Sequence, residues 1–232
     1  MIYALICAYN EEKTIREVVK DTLKYVNKVI VVNDGSTDNT LEKIKGIKNV
    51  DIISYKQNKG KGYALIKGFK HFLNKKGKIL ITIDADKQHD PSQIPAIKTL
   101  VQQNIADIVI GSRYSRKKVS KYPLIRVFFN IGVNLTMILI TGSFFADVAS
   151  GFRCYSRNAI KKIISDLKAY DYGIEPEILV SATKHNLRIA TIPVTCHYFS
   201  RKRDNFGKLA KSYLKFAWKH KIDILKKIFR LS

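Results

Sequence analysis

The chain has 232 residues, 46% of them hydrophobic, and a formal net charge of +23 at pH 7. That supplies one α/β domain with a full core. The widely spaced Cys7, Cys154 and Cys196 exclude a disulfide framework and fit a reducing compartment. The charge leaves nucleic acid, an anionic membrane surface and phosphorylated substrates open as partners.

Met1–Ile6 lacks a basic n-region and a cleavage site, and Ile2–Ala8 reads as a first buried strand. Tyr9-Asn10-Glu11-Glu12 follows, then a helical pattern through Val26 with Ile15, Val18, Val19, Leu23 and Val26 on one face. Lys28–Asn33 is a second strand. Asp34-Gly35-Ser36-Thr37-Asp38 turns into another helix, for which Ser36 or Thr37 is the expected cap. Val50–Tyr55 is a third strand. Asn58-Lys59-Gly60-Lys61-Gly62 opens a helix carrying Ala64, Leu65 and Phe69, and its backbone N–H groups are candidates for holding phosphate. Ile79–Ile83 is the central strand. Alternating strands and helices predict a mostly parallel, doubly wound sheet, in which ligands gather beyond the carboxyl ends of the strands. Tyr9–Glu11, Asp34–Asp38 and Asp84–Gln88 should therefore share one rim.

Asp84, Asp86 and Gln88 end the central strand at alternate positions, so their oxygens lie along one side. Hard oxygen donors in that arrangement suit Mg²⁺ or Mn²⁺. Asp34 and Glu11 suit a ribose hydroxyl or a base N–H, although Asp-Gly-Ser is also ordinary turn chemistry.

Pro91–Asn104 reads as a helix and Ala106–Ser112 as a fifth strand. Gly111–Arg126 then holds six Lys/Arg and no acid. Leu124–Phe145 is strongly apolar but interrupted by Asn130, Gly132, Asn134 and Gly142. It reads as one or two amphipathic helices lying in a membrane interface, or as a buried core helix. A tight loop from Asp147 to Arg153 leads into a short strand through Tyr155, a helix over Arg157–Leu167, a helix opened by Glu175-Pro176-Glu177, and a last strand over Ile189–Thr195. From His197 to Ser232 there are eleven Lys/Arg and two Asp. From Leu214 onward the apolar residues recur at three- and four-residue steps, giving a basic amphipathic helix suited to anionic headgroups.

Five blocks stand in order: Ala8-Tyr9-Asn10-Glu11-Glu12, Val31–Asp38, Asp84-Ala85-Asp86-Lys87-Gln88-His89-Asp90-Pro91, Gly111-Ser112-Arg113-Tyr114, and Asp147 through Ser150-Gly151-Phe152-Arg153. On these blocks the chain resembles the GT-A fold glycosyltransferases that act on polyprenyl phosphates, dolichyl-phosphate mannose synthases above all. The likeness runs from Met1 to about Gly207. It implies a Rossmann-like GT-A domain over residues 1–207, with interface helices near 122–145, and a basic C-terminal helix over 208–232. It further implies a peripheral enzyme on the cytoplasmic face of a membrane, transferring a hexosyl group from a nucleotide sugar to dolichyl or polyprenyl phosphate.

By the same resemblance Ala8, Tyr9, Asn10, Glu11 and Asp34 hold the nucleoside. Asp84, Ala85 and Asp86 meet the donor diphosphate, and Asp84, Asp86 and Gln88 hold the Mg²⁺ or Mn²⁺. Arg113, Arg126 and Arg203, with Arg201 as rival, contact the acceptor phosphate. Asp86, Arg113 and Arg126 are the expected catalytic residues, while Asp147, Ser150, Arg153 and Glu177 are further candidates. GDP-mannose is the family's default donor, with UDP-glucose and UDP-N-acetylglucosamine as alternatives. Asn33 stands where the family has an acid, and Arg203-Asp204-Asn205-Phe206-Gly207-Lys208 only approximates its C-terminal motif. A soluble or polysaccharide acceptor is the second reading. Nucleic acid is a distant third, because rim acids repel phosphate without a metal.

Overall fold

A computed structural model describes residues 1–114, 124–197, 206–221 and 225, without the side chains of 124–128 and 206. The strands are β1 (Ile2–Ala8), β2 (Lys28–Asp34), β3 (Val50–Tyr55), β4 (Ile79–Thr82), β5 (Ile108–Ser112), β6 (Arg153–Ser156) and β7 (Ile189–Pro193). The helices are α1 (Ile15–Leu23), α2 (Thr40–Ile44), α3 (Lys61–Leu73), α4 (Ile94–Gln102), α5 (Leu124–Thr141), α6 (Arg157–Ile163), α7 (Ile174–Lys184) and α8 (Phe206–Lys219).

The strands form one sheet in the order β3-β2-β1-β4-β6-β5-β7. All pairings are parallel except those of β6, which runs antiparallel to both β4 and β5. The chain builds outward from β1 through β2 to β3, then returns to lay β4 on the other side of β1. This reversal opens a crevice at the carboxyl ends of β1 and β4, where ligands bind in open α/β sheets.

Side chains alternate across the sheet, so each central strand feeds two cores. Ala4, Ile6, Val29, Val31 and Ile81 face α1 and α4. Tyr3, Leu5, Ile30, Val32 and Leu80 face α3, α6 and α7, with Phe69 and Phe72 fully buried among them. Each such side chain contributes about 1.5–3 kcal/mol by burial. A third cluster joins Val133 and Met137 of α5 to Leu179 of α7 and Tyr213 and Phe216 of α8.

Several expected boundaries move. α2 starts at Thr40, and neither Ser36 nor Thr37 caps it: Ser36 Oγ accepts from the Asn10 amide and the Thr37 amide donates to Asn10 Oδ1. Residues 91–104 divide into a 3-10 turn, Pro91–Gln93, started by the Asp90 carboxylate accepting from the Ser92 amide, and then α4. The apolar stretch after Leu124 is one helix, and α8 begins at Phe206, ahead of Leu214. No helix among the described residues is long and apolar enough to cross a membrane.

Candidate active site

Three loops meet at the crevice. Asn10, in the left-handed region at φ 56°, turns the chain after β1. The Glu11 amide donates to Thr40 Oγ1 at 2.7 Å, so the loop after β1 is clasped to the one after β2. Ala8 is buried beneath this turn and Tyr9 is exposed at its edge. Asp34 sits at the end of β2, only 3% exposed. Its carboxylate accepts from the amides of Lys59 at 2.8 Å and Gly60 at 2.9 Å, and from Asn58 Nδ2 at 2.9 Å. The residue expected on the nucleoside is therefore also the anchor of the 58–60 loop.

That loop does not offer its amides to phosphate as its glycines suggested. Lys59 and Gly60 donate to Asp34, and the amides of Gly62 and Tyr63 donate to the Tyr170 carbonyl. Gly60 has φ +96°, and a Cβ there would stand 2.3 Å from the Tyr170 oxygen, so only glycine fits. The loop instead delivers a side chain. Lys61, the first residue of α3, places Nζ 2.9 Å from Asp84 Oδ1 and 2.8 Å from Glu175 Oε1.

Asp84 and Asp86 extend from the carboxyl end of β4, with Ala85 buried between them. Asp86 Oδ1 accepts from the Gln88 amide at 3.0 Å, and Lys87, at φ 64°, turns outward to pair with Glu17. His89 is buried with Nε2 4.0 Å from Asp84 Oδ2 and its ring against Phe152. Burial pushes its imidazole down to about 4 against the pull of Asp84, so the ring is neutral at pH 7. Burial raises the Asp84 carboxyl, but the charges around it, Lys61 foremost and Arg113 among the others, together outweigh burial and the pKa lies below the usual carboxylate value. For Lys61, burial works against the charge, and the carboxylates of Asp84 and Glu175 reverse it, lifting the pKa well above the usual lysine value.

Arg113 follows β5 and is held by buried Asp147: Nε to Oδ2 at 2.7 Å, Nη2 to Oδ1 at 2.8 Å, and the Arg113 amide to Oδ2 at 3.1 Å. This bidentate pair fixes the guanidinium plane. Three other sequence candidates have structural duties. Ser150 Oγ donates to the Gly111 carbonyl at 2.6 Å. Arg153, 1% exposed, donates to the carbonyls of Ser150, Glu175 and Val148. Glu177 accepts from the amides of Lys168 and Ala169 and from Lys219. The side chain of Arg126, and Arg201 and Arg203 altogether, lie outside the described residues.

The residues present fit a divalent cation in part. Asp84, Asp86 and Gln88 are hard oxygen donors at one strand end. Gly151 faces them with no side chain, and a Cβ there would stand 2.4 Å from Asp84 Oδ2. Among the described residues no three His, Cys, Asp or Glu side chains cluster closely enough to hold a metal by themselves. A cation held at these residues would need further ligands, such as the phosphates that complete many Mg²⁺ sites. Sequence reasoning assigned no role to Lys61 or Glu175. Their signal was faint: a lysine opening a helix beside the rim, and an acid in the first turn of α7.

The mostly parallel sheet, the crevice at its reversal and the acidic loop after β4 suit a nucleotide-sugar glycosyltransferase of the GT-A type, and the family of the chain agrees. The chain belongs to glycosyl transferase family 2, whose model matches residues 3–164. It is 33% identical over 216 residues to UDP-N-acetylglucosamine–dolichyl-phosphate N-acetylglucosaminyltransferase of Methanococcus voltae, covering 85% of this chain and 86% of the relative. It is 28% identical over 240 residues to a dolichyl-phosphate beta-glucosyltransferase of Trichomonas vaginalis, covering 94% and 73%. Among solved structures, glucosyl-3-phosphoglycerate synthase from Mycobacterium tuberculosis, in complex with Mn²⁺, UDP-glucose and phosphoglyceric acid, superposes with a TM-score of 0.71. It is 21% identical, with 94% of this chain and 80% of that one covered, a likeness of fold.

Proposed function

We propose that the protein transfers a hexosyl group from a UDP-sugar, UDP-N-acetylglucosamine or UDP-glucose, to a polyprenyl phosphate at a membrane surface. The observation that carries the acceptor is the exposed apolar surface of α5 and α8, two of the helices in the third cluster. α5 exposes Ile131, Leu135 and Ile138, Phe144 follows it, and α8 exposes Leu214 and Trp218. Beside the basic stretches, such faces suit an interface with anionic lipid. The UDP-sugar is favoured over GDP-mannose by the sugars named for the two relatives above.

In this reading Ala8–Glu11 and Asp34 hold the nucleoside, and Asp84, Asp86 and Gln88 hold Mg²⁺ or Mn²⁺ together with the donor diphosphate. When bound, the cation neutralises charge gathering on the departing diphosphate. Arg113, oriented by Asp147, positions the acceptor phosphate, aided by Arg126 and by Arg203 or Arg201. A phosphate monoester has its second pKa near about 6 and is an ionised nucleophile at neutral pH, so no side chain needs to remove a proton. Its oxygen attacks the anomeric carbon. The bond from that carbon to the diphosphate oxygen breaks with its electron pair, and the configuration inverts.

The test is a panel of UDP-N-acetylglucosamine, UDP-glucose and GDP-mannose against dolichyl phosphate and 3-phosphoglycerate, with Mg²⁺ or Mn²⁺. The expected product is lipid-linked sugar from a UDP donor, reduced about 100-fold or more in Asp86→Ala. Sugar transfer to 3-phosphoglycerate alone, or undiminished turnover by Asp86→Ala, overturns the acceptor or the metal assignment respectively.

A further inference from the structure

At the centre of the crevice one ammonium holds two carboxylates. Lys61 Nζ lies within 3 Å of both Asp84 and Glu175. Glu175 is the more enclosed of the two acids. Glu175 is 3% exposed, and its oxygens make no hydrogen bond of good geometry, so the ion pair is its compensation. Asp84 is backed by Gly151, whose carbonyl is held by Thr82 Oγ1 at 2.7 Å. Nor is Lys61 free to drift. Gly60 and Gly62 seat the start of α3 on the backbone of residues 169–170, with the Gly62 amide bonded to the Tyr170 carbonyl at 2.9 Å.

From this geometry we infer that Lys61 is a resident counter-cation that competes with the divalent cation for Asp84. The inference rests on the metal assignment made above for Asp84, Asp86 and Gln88. Asp84, Glu175 and Lys61 together carry one net negative charge. A divalent cation arriving alone at Asp84 meets an ammonium already on the same carboxylate, and like charges at such range repel. A cation arriving with a nucleoside diphosphate meets a different balance, because the diphosphate brings anionic oxygens for both cations. Lys61 thereby keeps the site from filling with free metal and favours entry of metal and nucleotide together. In the same state it compensates Glu175, which would otherwise be a buried unpaired charge.

The experiment measures Mn²⁺ affinity, by the free-ion electron paramagnetic resonance signal, with and without UDP. It uses the wild type, Lys61→Met, Lys61→Arg and the double variant Lys61→Met/Glu175→Gln, each checked by thermal melting. The double variant removes the acid that Lys61→Met would strand, so it covers the case in which the single variant does not fold. The expected result is that Lys61→Met, and the double variant, bind Mn²⁺ alone about 10-fold or more tightly than the wild type. Lys61→Arg, which keeps the charge, stays near the wild type. UDP should improve Mn²⁺ binding less in the methionine variants than in the wild type. Mn²⁺ binding by both methionine variants no tighter than the wild type overturns the inference. Asp86→Ala separates the two levels. If it loses Mn²⁺–UDP binding while the methionine variants gain nothing, only the competition is wrong. If it binds Mn²⁺–UDP as the wild type does, the metal assignment itself falls.

Discussion

Gly151 makes a tight demand beside the candidate metal ligands. Its backbone is not in the left-handed region, so alanine meets no conformational penalty, but the added Cβ would stand 2.4 Å from Asp84 Oδ2. The carboxylate must move. Gly151→Ala should weaken Mn²⁺–UDP binding about 10-fold while costing at most about 1–3 kcal/mol of stability, the usual range for overpacking. Calorimetry returning wild-type affinity would show that Asp84 is not set by this contact. Arg113 carries a second lesson. Arg113→Ala leaves buried Asp147 without its guanidinium, with only the backbone amide of residue 113 still donating to it, and should destabilise the fold by about 3–5 kcal/mol, with part recovered in Arg113→Ala/Asp147→Asn. Denaturant melts of both variants check this, and no recovery in the double variant would refute the buried-charge explanation. Asp84 and Asp86 were legible as acids closing an apolar run, but β4 ends at Thr82, so the loop after it, and not strand alternation, sets where they stand. The duties of Asp147, Arg153 and Lys61 were not, because each partner comes from a distant stretch that only the folded sheet brings near.

At the scale of elements, α7 ties the site to the tail. Its first turn holds Glu175, facing Lys61, and Glu177, whose Oε2 accepts from the amides of Lys168 and Ala169 while Oε1 meets Lys219 of α8 at 2.6 Å. The two halves of the Glu177 network differ in worth. Lys219 is half exposed, so its ion pair is screened and contributes little. The two amides are partly buried and lose their acceptor when Glu177 is truncated. Glu177→Ala should therefore cost about 1–3 kcal/mol, whereas Lys219→Ala is nearly neutral. Equal shifts in urea midpoint would contradict that division. β1 through β5 were readable from apolar runs bounded by polar turns. The direction of β6 was not, since a four-residue buried run reads the same whichever way its neighbours point. The start of α8 was present in the sequence, since Phe206, Leu209, Ala210 and Tyr213 already fall at three- and four-residue steps, although the pattern was read only from Leu214.

Across the whole molecule, the third hydrophobic cluster divides α5 and α8 into an inward and an outward apolar face. Val133, Met137, Tyr213 and Phe216 pack inside, and the Phe129 and Tyr213 rings meet edge to face at 5.3 Å. Leu135 and Trp218 face out, 58% and 71% exposed, with Lys221 Nζ 4.1 Å from the Trp218 ring centre. The sequence left α5 open between an interface helix and a core helix, and the structure gives it one buried and one exposed apolar face. Leu135→Glu with Trp218→Glu should leave the melting temperature nearly unchanged and sharply reduce flotation with phosphatidylserine vesicles. Flotation equal to the wild type would sink the membrane reading of these faces.

The antiparallel β6 bears on the order in which the chain assembles. β4 and β5 share no hydrogen bonds with one another, and each pairs with β6. During synthesis the ribosome releases both long before it releases Arg153–Ser156. Until then β1–β4 is one growing half-sheet with an open edge, and β5 has no strand beside it. Such non-local pairing is slow because the loop between must first close. Asp84 therefore gains Gly151 and Glu175 as neighbours only once the last third of the chain has emerged. A nascent chain stalled before β6 has the acidic loop but not the crevice.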